Sequence, residues 1–194
     1  MSNIKKLLEE VEVEWKTLDK VAKIKNGKDW KQLKEGNIPV YGSGGIMAYV
    51  NTFTYNRPTV LIPRKGSITN IFYVETPMWN VDTIYYTEID TDIIVPKYFY
   101  YYLKTLDLMK LDTGSGRPSL TQAILNQIMI PIPYPNDTEK SLKEQERIVA
   151  ILDKFDTITT SITEGLPKEI ELRQKQYEYY RDMLLSFPKN NIKA

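Results

Sequence analysis

The sequence predicts an α+β protein: a globular domain with a twisted, mostly antiparallel sheet plus short helices, followed by a long helical coiled-coil region. Three observations predict it. Segments of β-branched and aromatic residues, each of strand length, alternate with turn residues through the first two thirds of the chain. Glycine and proline then disappear from 139 to 187, apart from one break at Gly165-Leu-Pro167. Within that second stretch Ile148, Ile151, Phe155, Ile158 and Ile162 alternate spacings of three and four, the seam of a heptad. The chain is therefore expected to divide into a globular part, 1–138, and a helical part, 139–194.

The elements follow in order. Thr59-Val-Leu-Ile-Pro63, Ile71-Phe-Tyr-Val74 and Thr83-Ile-Tyr-Tyr-Thr87 read as strands, because branched and aromatic side chains suit a pleated, half-buried surface. Pro96 suits a first helical turn, so a helix is expected over Lys97–Lys110. Its run Tyr98-Phe-Tyr-Tyr-Tyr-Leu103 cannot all face one stripe, so some rings pack beneath the sheet and others reach the surface. Pro131-Ile-Pro-Tyr-Pro135 reads as a stiff linker. Two helices are expected after it, about 139–163 and 168–186, with Tyr177 and Leu184 continuing the apolar face of the second. That face requires a partner helix, from this chain, a second copy or another protein. A helix of about 25 residues is ~37 Å long, close to the ~34–36 Å between two DNA half-sites one turn apart.

Composition narrows the chemistry. The 194 residues contain neither histidine nor cysteine. This removes the usual general base, the thiol nucleophile, disulfides and zinc–thiolate sites. No phosphate-loop motif, dinucleotide fingerprint or nucleophile elbow is present, and no apolar run spans a bilayer. The expectation is a cytoplasmic, non-catalytic protein without cofactor, metal or membrane contact. The net charge of +1 conceals an asymmetry. From 20 to 72 there are nine basic residues (Lys20, Lys23, Lys25, Lys28, Lys31, Lys34, Arg57, Arg64, Lys65) against two acidic ones (Asp29, Glu35). A chain with one basic surface can hold an anionic polymer without being basic overall.

Three turns carry the binding chemistry. Tyr41-Gly-Ser-Gly-Gly45 offers backbone amides and small side chains (Ser43, Gly44, Gly45) that a phosphate can approach closely. Pro63-Arg-Lys-Gly-Ser-Ile-Thr-Asn70 sets Arg64 and Lys65 beside a glycine, with Asn70 beyond it. Thr113-Gly-Ser-Gly-Arg-Pro-Ser-Leu-Thr121 offers Arg117 with Ser115 and Ser119. Arginine and lysine neutralise phosphates, and arginine and asparagine can pair with guanine and adenine edges. Each turn alone is ordinary; three in one small domain favour nucleic acid. A coiled-coil adaptor that binds only protein is the alternative, and it predicts little dependence of affinity on salt.

In that order the motifs resemble the specificity subunit of type I restriction-modification systems. The resemblance is carried by Trp15-Lys-Thr-Leu-Asp-Lys-Val-Ala-Lys-Ile-Lys-Asn-Gly27, the three turns above, Ile128-Met-Ile-Pro-Ile-Pro133, Glu144-Gln-Glu-Arg-Ile-Val-Ala-Ile-Leu-Asp-Lys-Phe-Asp156 and Glu169-Ile-Glu-Leu-Arg-Gln-Lys-Gln-Tyr-Glu-Tyr-Tyr-Arg181. It implies a target-recognition domain that reads a DNA half-site, and helices that space two such domains and bind partners. Those partners are a methyltransferase subunit, which uses S-adenosylmethionine, and a restriction (nuclease-translocase) subunit, which uses ATP. Carried onto this chain, the expected contacts with double-stranded DNA are Lys28, Ser43, Gly44, Gly45, Arg64, Lys65, Asn70, Ser115, Arg117 and Ser119. Ile148, Ile151, Phe155, Ile158, Ile162, Tyr177 and Leu184 are the expected helix and partner contacts. The family usually carries two recognition domains and two helical regions. One of each implies a half-size subunit that forms a homodimer, or a fragment of a longer chain.

Overall fold

A computed structural model describes residues 11–112, 116, 118–157 and 175–176, and the chain divides into two compact units between Val149 and Ala150. Nine strands appear among the described residues of the first unit. They are β1 (Val13–Thr17), β2 (Ala22–Lys25), β3 (Glu35–Gly42), β4 (Gly45–Val50), β5 (Thr59–Pro63), β6 (Phe72–Val74), β7 (Trp79–Asn80), β8 (Ile84–Ile89) and β9 (Met129–Pro133). Between them lie α1 (Leu18–Val21), α2 (Pro96–Lys104), a 3₁₀ turn at Leu108–Leu111 and α3 (Gln122–Leu125). A further helix, α4, runs over 138–157.

The strands form three sheets rather than one. The largest has the order β2-β8-β5-β6 and is antiparallel throughout. The second, β4-β3-β7, contains the parallel pair β3–β7. β1 and β9 make a third, antiparallel sheet of two strands. The β3–β4 hairpin shifts register twice, between Glu35 and Ile38 and between Val40 and Tyr41, and such irregularities bend a ribbon.

Every residue of β5 is buried, because both faces of the central sheet are covered. Val60 and Ile62 join a core with Leu18, Phe99, Leu103 and Ile130, while Leu61 packs with Val74, Met78 and Ile84 on the other side. Burial on two faces explains why this strand reads as a continuous apolar run. Its one polar residue is accounted for: the Thr59 hydroxyl donates to the Thr87 carbonyl at 2.7 Å and accepts from the Thr87 amide at 3.0 Å. The Thr87 hydroxyl in turn accepts from the Val60 amide at 3.0 Å. These threonines bond β5 to β8 at the end of the ladder.

The rings of α2 divide as expected, with Tyr98 and Phe99 buried and Tyr100, Tyr101 and Tyr102 half-buried. The helix is shorter than the expected Lys97–Lys110. It stops at Lys104, where the Thr105 hydroxyl donates back to the Tyr102 carbonyl, and Asp107 then caps the separate 3₁₀ turn by accepting from the Met109 amide. Side-chain oxygens of Thr and Asp compete with helix continuation in this way.

The proline cluster is corrected outright. Met129–Pro133 is a strand, not a linker, and Ile130 and Ile132 fill the core. Pro131 and Pro133 lie two residues apart, so their missing donors fall on the same side of a strand that pairs only with β1. Edge positions of that kind are where a sheet tolerates proline. The Pro131 carbonyl accepts the Tyr98 hydroxyl at 2.9 Å, tying β9 to α2.

α4 begins where expected, with Asp137 accepting from the Lys140 amide. Its first turns belong to the globular unit. Ser141 and Gln145 are buried there, and Ile148 and Val149 pack against the main core. The compact unit thus extends past the expected division at 138/139 because these side chains anchor the helix to it. Ile148 is a core contact of the globular unit. Ile151 and Phe155, in the second unit, are exposed. Ile158, Ile162, Tyr177 and Leu184 lie outside the described residues.

Candidate nucleic-acid interface

The three glycine-bearing turns, distant in sequence, meet at one place. The first is the tip of the β3–β4 hairpin, where Gly42 pairs with Gly45 across Ser43 and Gly44. Gly45 has φ +116°, a conformation that only glycine adopts without strain. The second turn leaves the buried end of β5 at Pro63. The third returns through Pro118-Ser119-Leu120 toward α3.

Backbone bonds join the second turn to the third. The Leu120 amide donates to the Arg64 carbonyl at 2.8 Å, the Gly66 amide donates to the Pro118 carbonyl at 3.1 Å, and Lys65 bridges Ser119. Gly66 has φ +82°, where any other L residue would be strained, and a β-carbon there would lie 3.3 Å from the Ser43 hydroxyl oxygen, close enough to push it back by a few tenths of an ångström. Asn70 completes the junction by donating from Nδ2 to the Ser43 carbonyl at 3.1 Å. Its amide nitrogen therefore holds the hairpin tip against the second turn.

The backbone of Arg64 is held in position, and its side chain has two looser neighbours. Its backbone amide donates to the Thr83 carbonyl at 2.9 Å, its guanidinium reaches the Asp82 carbonyl at 3.5 Å, and its charge sits 5.9 Å from the centre of the Tyr85 ring. Burial raises the pKa of the Tyr85 hydroxyl, with the Arg64 charge opposing the rise. The neutral phenol donates to the Leu120 carbonyl at 3.3 Å and so adds a further tie between the turns. Lys65 beside it is exposed, and Ser119 is half-buried with its amide donating to the Asp112 carboxylate at 2.7 Å.

Lys28 lies on the adjoining β2–β3 connection. Its amide donates to the Asn80 carbonyl at 2.9 Å and its own carbonyl accepts from the Trp79 indole at 3.1 Å. It is exposed, two residues from Asn26, whose side chain accepts from Gln122 at 3.3 Å at the start of α3. Ser115 and Arg117 lie outside the described residues. The structure thus brings Ser43, Gly44, Gly45, Arg64, Lys65, Asn70 and Ser119 into one surface, with Lys28 at its border.

Four members of that neighbourhood were not singled out from sequence: Asn26, Asp82, Thr83 and Gln122. Thr83 is the hub, since its hydroxyl accepts from the Ser43 amide at 3.3 Å and its carbonyl from the Arg64 amide. Only its place at the start of a strand beside two turn-forming residues hinted at such a role. No group of three or more histidine, cysteine, aspartate or glutamate residues fit to hold a metal occurs among the described residues. No helix among them is long and apolar enough to cross a membrane. A separate cleft of about 510 Å³ balances Lys20, Lys23 and Arg57 against Asp19, Glu88 and Asp90, so it offers no net field to an anion.

Residues 10–172 match the family model of the type I restriction modification DNA specificity domain. The chain belongs to this family. It is similar to the EcoR124I/EcoR124II specificity subunit of Escherichia coli, at 51% identity over 100 residues, half of this chain and 23% of that protein. It is also similar to the EcoprrI specificity subunit of Escherichia coli, at 30% identity over 220 residues, all of this chain and 55% of that protein. In fold it resembles the crystal structure of a type I restriction-modification S subunit from M. genitalium, with TM-score 0.65 and 20% identity over 93% of this chain and 48% of that one. The HsdS subunit from Thermoanaerobacter tengcongensis gives a TM-score of 0.60 at 17% identity, covering 79% and 39% of the two chains. Across its full length, this specificity-domain chain spans about half of such relatives.

Proposed function

We propose that this chain is the DNA sequence-specificity subunit, or one reading half of it, in a type I restriction-modification complex of the cytoplasm. Its globular unit reads one half-site of a two-part target in double-stranded DNA. Its helices dock the methyltransferase and restriction subunits and pair with a second copy as a coiled coil, setting the distance between half-sites. The chain itself is non-catalytic and needs no cofactor. One observation supports the reading most: the turns bearing Ser43, Arg64–Lys65 and Ser119 converge on one surface in a chain of this family.

The geometry suggests a division of labour within that surface. Arg64, whose backbone is bonded to Thr83 and whose guanidinium lies near the Asp82 carbonyl and the Tyr85 ring, suits base reading, because a planar guanidinium fork loses little freedom per hydrogen bond formed with guanine. Lys65, exposed on the same turn, suits a phosphate. The Ser43-Gly44 tip and the Gly66 backbone present small groups that let a strand approach.

The test is reconstitution with the methyltransferase subunit and genome-wide mapping of methylated adenines. A two-part palindromic motif is the expected outcome; methylation without any sequence motif would overturn the reading. In the same assembly Arg64→Ala is expected to weaken specific binding by about 1–3 kcal/mol and to relax one position of the motif. Affinity unchanged by raising salt would favour a protein-binding adaptor instead.

A further inference from the structure

The residue on α4 with the most completely used side chain is Gln145. It is fully buried, and its Oε1 accepts from the Val95 amide at 2.8 Å. Its Nε2 donates to the Ile93 carbonyl at 3.1 Å and to the Ser141 hydroxyl at 3.2 Å. A carbonyl at 93 and an amide at 95 flank Ile94, the pair of groups that a neighbouring parallel strand would engage. The side-chain amide of Gln145 thus docks as a strand would, on the connection that leads from β8 into α2.

No simple substitute reproduces this. A carboxylate would face the Ile93 carbonyl with an acceptor in place of a donor, and an apolar side chain would leave a buried amide and carbonyl without partners. The contacts around it are less directional. Ile148 and Val149 pack by shape against the core, and the Arg147 guanidinium pairs with Glu144 on the same helix. Lys140 lies 3.8 Å from the centre of the Tyr134 ring, at the surface. Gln145 fixes the helix by directed bonds to the backbone of the connection between β8 and α2.

We propose that Gln145 is a positioning residue for target spacing: it fixes the direction in which the chain leaves the globular unit, and thereby the spacer length that two such units accept. This rests on the function proposed above. A tilt of about 10° displaces the end of a helix of about 20 residues by ~5 Å, which exceeds the ~3.4 Å step between base pairs. Directed bonds restrain such a tilt more sharply than apolar packing alone.

The experiment uses the full chain assembled with its methyltransferase subunit. Its substrates are DNAs carrying two fixed half-sites separated by a series of spacer lengths, with methylation read by sequencing. Wild type is expected to prefer one spacer length. Gln145→Met is expected to recognise the same bases while the ratio of methylation at the preferred spacer to that at its neighbours falls by roughly a factor of ten. Ser141→Ala, which leaves the bonds to Ile93 and Val95 in place, is expected to lower that ratio by less. A residue that serves stability alone would reduce methylation equally at every spacer and leave the ratio unchanged, and that result overturns the proposal. Should Gln145→Met fail to assemble, Gln145→Glu, which can keep the Val95 bond but loses the donor to the Ile93 carbonyl, takes its place, and an unchanged ratio there overturns the proposal equally. Wild type without any preference for paired half-sites overturns the reading of function, and this inference with it.

Discussion

Strand β5 and the turn that follows it are adjacent in sequence and opposite in character. Thr59–Pro63 is buried at every position, bonded to β6 and β8 and covered on both faces. From Arg64 to Asn70 most residues reach solvent, and the one buried side chain, Ile68, pins the turn to the core. The turn therefore inherits its direction from a strand covered on both faces and paired on both edges. Rigid scaffolding beneath an exposed polar turn is the arrangement that lets an arginine be aimed before its target arrives. Substitutions in the strand should cost folding, and substitutions in the turn should cost binding.

The largest effect is expected from Leu61→Ala. Leu61 is fully buried between Val74, Met78 and Ile84, and its truncation should destabilise the chain by about 2–5 kcal/mol. Urea unfolding followed by circular dichroism measures this. A loss under about 1 kcal/mol would mean that the strand is less tightly enclosed than its burial indicates.

Thr87→Val comes next. It keeps shape while removing the hydroxyl that serves the Val60 amide and carbonyl. A buried amide left without a partner costs about 1–3 kcal/mol. Amide hydrogen exchange at Val60 should accelerate more than at Ile62, whose ladder bonds to β8 remain. Equal acceleration at both would show that the threonine contributes only to global stability.

Tyr98→Phe probes the seam between α2 and β9. Burial, with smaller contributions from Tyr102 and Glu144, raises the Tyr98 pKa from 10.0 to about 12. The folded phenol keeps a proton that the unfolded chain releases, so its stabilising contribution is intact below pH 10 and is lost as pH rises toward 12. The variant should lose about 1 kcal/mol at neutral pH, from the bond to the Pro131 carbonyl. It should also show a shallower decline at alkaline pH than wild type. Stability measured at intervals from pH 8 to above 11 checks both, and parallel declines would remove Tyr98 from the alkaline transition.

How much of this was legible in sequence depended on range. β5, β6 and β8 are readable because strand propensity and turn punctuation are local, and α4 is readable because apolar residues recur there at helical spacing. The Met129–Pro133 strand is not legible locally, because a proline cluster resists an interior strand and only the pairing with β1 shows that a spacing of two places both defects on an unpaired edge. The end of α2 is not legible either, because Thr105 and Asp107 act through side-chain hydrogen bonds that a proline start signal does not foretell. Among the site residues, Arg64, Lys65 and Ser43 were legible from chemistry, yet their meeting was not. The Asn70 amide reaches a carbonyl 27 positions away, and Gln122 pairs with an asparagine 96 positions away. Asn70 shows the limit well: its side chain type suggested base reading, and its observed bond to Ser43 holds the surface together.

The smallest effect on folding, and the sharpest test of the contrast, is expected from Lys65→Ala. Lys65 follows β5 by two residues, is exposed, and meets its neighbours through backbone atoms, in the bridge to Ser119 and the amide bond to the Thr83 carbonyl. Alanine preserves those bonds, so stability should stay within about 0.5 kcal/mol of wild type. If the side chain meets a phosphate, the slope of log affinity against log salt for the assembled complex should shrink by about 1, with the base preference intact. Arg64→Ala on the preceding residue should do the reverse, relaxing base preference with a smaller change in slope. Two adjacent basic residues with separable defects would place the boundary between reading and gripping within a single turn; identical defects would mean that the turn acts only as a patch of charge.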